Sequence, residues 1–202
     1  MELKDKLKAI KQSFRLEMNG PVSQSMRAKG VDYKINWGIP LVSLNEQAKE
    51  YGKDYDLAIA LFKENIRECK ILATLIMPAE RMDAELADVW LEQTETQEIA
   101  ELLAMNLFQY VDYASVLAFE CIASDKILYQ NCGYSLLSRL FGKGMKPNER
   151  GINEFLDQAA TALVCDNMGV KHAAMNAVMN FMELGREYEL IARKALHNVI
   201  DF

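Results

Sequence analysis

Eight carboxylates and one arginine, Arg81, crowd residues 80–101 of a 202-residue chain. Carboxylates in pairs can divide general acid and general base work, and a single one can stabilise positive charge in a transition state. Glu101 is the candidate of that second kind. The remainder of the run, Glu80 to Glu98, reads as solvated helix faces. His172 is a possible base, although with no identified partner it reads as a surface residue. The four cysteines (Cys69, Cys121, Cys132, Cys165) show no CxxC spacing, and the two histidines, His172 and His197, show no ligand spacing. No metal or other cofactor is therefore expected, and the thiols read as small buried hydrophobes. A phosphate loop, a dinucleotide fingerprint and a nucleophile elbow are all missing from the sequence.

Such residues need elements to position them, and the periodicity is helical nearly throughout. Leu3, Leu7, Ile10 and Phe14 make one stripe of an opening helix, which Gly20-Pro21 is expected to end. Residues 22–42, with Gly30, Gly38 and Pro40, read as a loop carrying Tyr33 and Trp37. Helices are expected near 43–51, 54–64, 66–77, 80–91, 96–110, 112–123, 125–141, 148–165, 167–184 and 187–200. Asp54, Asp112, Asp125 and Asn148 are the expected N-caps, and Gly142 and Gly185 the expected C-caps.

The helices pair across short joints, and their second members share a weak apolar pattern: Ile66/Cys69, Ile99/Leu102, Tyr129/Cys132 and Val170/Ala173. The intervals are irregular and lie nearest a HEAT-like period. The expected fold is a single all-α domain over 1–202, a HEAT-like (ARM/HEAT) right-handed α-α superhelix solenoid. Residues 1–42 would form N-terminal helices and a loop, and 43–202 the helix pairs; a non-repetitive bundle is the alternative. A solenoid presents its second helices on a concave surface, so side chains turned away from their packed stripes become candidate site residues. Ile99, Leu103, Leu107 and Tyr110 would be buried, leaving Gln97, Glu101, Met105 and Phe108 on the other side. Asn131, Tyr134 and Ser138 would face outward on the helix near 125–141. His172, Asn176, Met179 and Glu183 would do so on the helix near 167–184. Trp90 reads as core.

Net charge is −6 and half the residues are apolar, which excludes wholesale disorder and weighs against a dedicated nucleic-acid binder. The distribution is uneven: residues 1–44 carry 8 basic and 4 acidic side chains, whereas 45–101 carry 6 and 14. Arg139, Lys143, Lys146 and Arg150 oppose only Glu149 in residues 135–150. No apolar run reaches the ~20 residues of a membrane span, and a reducing cytoplasm is the expected location.

Several short motifs resemble one family. Ile122-Ala-Ser-Asp-Lys-Ile-Leu-Tyr-Gln130 is similar to the run that ends one helix and opens the next in the DNA alkylation repair family, alkylpurine DNA glycosylases built from HEAT-like repeats. Gly38-Ile39-Pro40, Leu61-Phe62 with Arg67-Glu68, and Val170-Lys171-His172-Ala173 extend the resemblance over roughly residues 22–185. It implies a HEAT-like fold, duplex DNA as partner, and a carboxylate that stabilises the sugar cation as an alkylated base departs. By this resemblance the catalytic Asp falls on Glu101. Two Trp positions fall on Gln97 and Asn176, two Arg positions on Met179 and Asn131, and an N-terminal Tyr near Ser25. These replacements predict weakened excision, each missing cation–π interaction removing about 0.5–2 kcal/mol. Lys143, Lys146 and Arg150 would then bind phosphates, with Gln97, Asn131, Tyr134, Asn176 and Met179 facing the DNA or another partner. The other reading is a non-catalytic scaffold that binds a protein or peptide on the concave face.

Overall fold

Twelve α-helices make up most of the computed structural model, which describes residues 2–200. The chain forms two compact units, one ending at Leu102 and the other beginning at Leu103. The first contains α1 (Leu3–Leu16), α2 (Gly20–Ala28), α3 (Leu41–Tyr51), α4 (Tyr55–Phe62), α5 (Arg67–Ile76) and α6 (Ala84–Glu92). The boundary falls within α7 (Gln97–Asn106). The second holds α8 (Ala114–Ala123), α9 (Ile127–Gly142), α10 (Glu149–Val164), α11 (Met168–Met182) and α12 (Arg186–Leu196). Short 3-10 turns occupy Ala79–Arg81 and Phe108–Tyr110. The all-α expectation holds: among the described residues the only β-type pairing is an isolated bridge between Ile35 and Ile66.

Within the first unit, α5 is the central element, packed by α3 and α4. Its buried set therefore runs all round the helix, from Arg67 to Ile76 with only Leu75 half-buried. The Phe62 ring stacks on Trp90 at 3.9 Å, which places Trp90 in the core as expected. Above the Phe62 ring, 4.3 Å from its centroid, sits the Lys70 ammonium. It donates to the Phe62 carbonyl at 3.2 Å and the Gln93 carbonyl at 3.0 Å. One cation thus satisfies carbonyls at the ends of both α4 and α6, where helices leave acceptors unpaired.

Gly20-Pro21 does not end a helix but opens one. Asn19 accepts from the Val22 N–H as N-cap, and Pro21 sits in the first turn, where its missing N–H costs nothing. The expected loop at 22–42 therefore begins only after Ala28. Of the four expected N-caps, Asp54 and Asn148 cap α4 and α10. The positions taken at α8 and α9 are instead Tyr113 and Lys126, neither with a side-chain cap bond. Gly142 remains helical and Gly185 precedes α12 rather than closing α11.

In the second unit α9 packs against both α8 and α11. Gly133 permits the first of these contacts. A Cβ there would lie 2.7 Å from the Cys121 Cβ and 2.8 Å from the Ile122 backbone nitrogen, so only hydrogen fits. Phe141, Phe155 and Phe181 form an aromatic cluster with centroids 5.1–5.4 Å apart. No helix among the described residues is long and apolar enough to cross a membrane.

Candidate functional site

Gln97 and Glu101 occupy one exposed face of α7, with the Gln97 amide donating to a Glu101 carboxylate oxygen at 2.6 Å. The i,i+4 spacing lets one turn orient the acid. Water reaches that carboxylate, and its field is correspondingly weak compared with one held in a dry pocket. Phe108, expected on the same outer side, is fully buried, whereas Tyr110, expected in the core, is 60% exposed. The change from α-helix to a 3-10 turn at Phe108–Tyr110 rotates both side chains away from the positions that a continuous helix would give.

Glu98, expected on a solvated face, is drawn inward. Its carboxylate accepts from Arg67 Nε at 2.8 Å and Arg67 Nη2 at 2.7 Å, and from the Tyr33 hydroxyl at 2.6 Å. Burial opposes the Arg67 cation, but the hydrogen bonds and charge of Glu98 outweigh it and raise its pKa. Tyr33 is held far from ionisation, by burial first and by Glu98 next. Neighbouring Glu68 is fully buried and accepts from the Trp37, Gly38 and Ile39 N–H groups at 3.2, 3.0 and 3.3 Å. The Gly-Ile-Pro and Arg-Glu pieces of the sequence are therefore two halves of one structural clamp. At its centre Gly38 has φ +72°, and a Cβ there would approach the Asn19 carbonyl to 2.4 Å.

In the second unit Asn131 and Tyr134, both expected outward, are buried with 1% exposure each. The reason is the double packing of α9, which hides two of its faces. Burial pushes the Tyr134 phenol well above its ordinary pKa, and the Asn131 carboxamide oxygen has no hydrogen-bond partner. Asn176, Met179 and His172 are exposed on α11, as expected.

An open cleft of about 400 Å³ lies between the end of α9 and α11, lined by Gln109, Ser138, Arg139, Gly142, Lys143, Asn176 and Asn180. Asn180 spans it, donating to Ser138 Oγ at 2.9 Å and to the Asn176 carbonyl at 2.9 Å. Lys143 sits 4.4 Å from the Tyr110 ring centroid and donates to the Gln109 carbonyl at 3.3 Å. None of the lining side chains is acidic, so two cations stand over amide and hydroxyl groups. That combination suits a phosphate: charge for attraction and neutral donors for orientation.

Of the sequence candidates, the cleft brings Ser138, Lys143 and Asn176 together. Arg150 instead shares an acidic depression on α10 with Glu149, Glu154 and Asp157. Lys146 lies 5.9 Å from the Tyr188 ring centroid, outside the cleft lining. Arg139, Asn180 and Gln109 were missed as site residues; Asn180 follows Asn176 by one turn, a spacing that marks a shared face.

Residues 10–182 match a family model described as DNA alkylation repair enzyme. The structure is similar to one described as "A new family of proteins related to the HEAT-like repeat DNA glycosylases with affinity for branched DNA structures". That likeness has a TM-score of 0.83 at 17% identity and covers 95% of this chain and 82% of the other. Among curated proteins no sequence matches this chain. The similarity establishes the HEAT-like repeat fold anticipated from the helix pairs.

Proposed function

Because the chain belongs to the DNA alkylation repair enzyme family, we propose that it binds DNA through its phosphate backbone and has lost most of the family's excision chemistry. The observation that carries this reading is the cleft of Arg139, Lys143, Ser138, Asn176 and Asn180. A total charge of −6 does not oppose it, since binding follows the local field rather than the sum. The structural relative described as having affinity for branched DNA supports the same partner. Loss of chemistry is inferred from Glu101, which is exposed and paired with Gln97 where the family resemblance expects an aromatic side chain.

The test measures binding of a labelled duplex and a labelled three-way junction by fluorescence anisotropy across a salt series. Arg139→Gln/Lys143→Gln is expected to weaken binding about tenfold and lower the salt slope by about two. Wild-type affinity and slope in that variant would overturn the cleft assignment. For the chemistry, release of alkylated purine from duplex DNA is expected to be equal for the wild type and Glu101→Gln. Release by the wild type that disappears in the variant would restore Glu101 as a working acid.

A further inference from the structure

The opening helix carries a separate row of uncompensated cations. Lys4, Lys8 and Arg15 are all exposed on α1. At 100° per residue they fall within an arc of about 40°. The helical rise places them about 6 Å and about 10 Å apart in succession. Two other lysines of this helix are spent on anchoring it. Lys6 pairs with Asp54 at 2.6 Å and Lys11 with Glu64 at 3.0 Å, while Ile10 and Phe14 are buried. The anchoring pairs engage Asp54 and Glu64 and leave the outer row unneutralised. The exposed acids of α1 and its two caps, Glu2, Asp5 and Glu17, lie about 60–180° around the helix from the row.

We propose that this row is a second nucleic-acid contact surface, one that takes a run of backbone phosphates on the first unit. A row about 16 Å long fits a polymer of regularly spaced charge better than a single anion, because duplex DNA carries one charge per ~1.7 Å of axis. The arc holds no apolar side chain to insert among lipid tails, which a membrane-surface helix requires. Because the row is held on a helix, the backbone order of the three cations is set before binding and only their side chains remain to be ordered. The proposal rests on the DNA reading of the chain but not on the cleft.

The experiment compares the full-length wild type, Lys4→Gln/Lys8→Gln/Arg15→Gln and Arg139→Gln/Lys143→Gln on the labelled junction and duplex. Thermal melting checks that folding is unchanged. The α1 variant is expected to bind the junction about tenfold more weakly, with its salt slope lower by two to three (about 0.9 for each phosphate no longer neutralised). An unchanged slope in the α1 variant, with weakened binding in the cleft variant, would overturn the α1 surface and leave the DNA reading standing. No salt-sensitive binding by the wild type would overturn both. Binding to phosphatidylserine vesicles that depends on the α1 row, without any effect on DNA, would also overturn it.

Discussion

Arg67 and Glu98, 31 residues apart, meet in a two-pronged ion pair with nitrogen–oxygen distances of 2.8 and 2.7 Å. A third hydrogen bond, from Arg67 Nη1 to the Ile39 carbonyl at 3.0 Å, ties the pair to the loop before α3. Arg67→Met leaves the Glu68 and Glu98 carboxylates without their cation. Removing one partner of a buried pair costs about 3–5 kcal/mol, so the urea midpoint is expected to fall sharply. Glu98→Gln, on the more exposed side of the pair, is expected to cost less. An unchanged midpoint for Arg67→Met would show that the clamp is dispensable.

Gly133→Ala is expected to destabilise the second unit by about 1–3 kcal/mol, since α8 and α9 must separate to admit a methyl group. Gly38→Ala adds a strained positive φ to a 2.4 Å approach, and is expected to cost at least as much. Denaturation of each variant measures the effect; a wild-type curve for either would refute the close approach at that position.

Acid stability gives a prediction with a definite sign. The Lys6 hydrogen bond chiefly holds the Asp54 carboxyl below its ordinary value of 3.8. The folded state thus binds that proton less readily than the unfolded chain. The resulting stabilisation is complete above pH 3.8 by a comfortable margin and declines as pH falls through the folded value. Asp54→Asn is expected to be less stable near neutrality and to lose less stability on acidification. A parallel acid limb in both proteins would contradict the assignment.

Thiol reactivity should separate one cysteine from the rest. Cys69, Cys121 and Cys132 are buried, and burial chiefly pushes the Cys69 thiol up to about 12. Cys165 is partly exposed. Native protein at neutral pH is expected to react rapidly with a disulfide reagent at one thiol per chain, abolished by Cys165→Ser. Rapid modification of two or more thiols would mean that the core opens more freely than its packing implies.

Most helices were legible because their apolar spacing follows 3.6 residues, and α4 and α10 announced themselves with Asp54 and Asn148. The second helix was not, because GPVSQSMRA buries no residue and offers no apolar stripe to read. Its signal was Asn19 before Gly20-Pro21, the same dipeptide that reads as a terminator when a helix precedes it. Asn131 and Tyr134 defeated stripe geometry for a different reason: one helix viewed alone cannot show that two neighbours cover it. The cleft was half legible. Lys143 and Asn176 stand out by charge and position, but Arg139 and Asn180 become partners only when α9 lies beside α11. Arg67 and Glu98 were beyond reach by spacing, since no local pattern pairs residues on different helices.

Lys70 has a consequence for the order in which the first unit assembles. Its ammonium has to leave water before it can reach either the Phe62 or the Gln93 carbonyl, and burial is what chiefly lowers its pKa. With only one helix end in place, the cation would be desolvated for half of its bonds. The ends of α4 and α6 therefore gain most by closing in the same step. Native-state hydrogen exchange is expected to show the amides at these two ends opening together, as one cooperative unit, and in Lys70→Met as two.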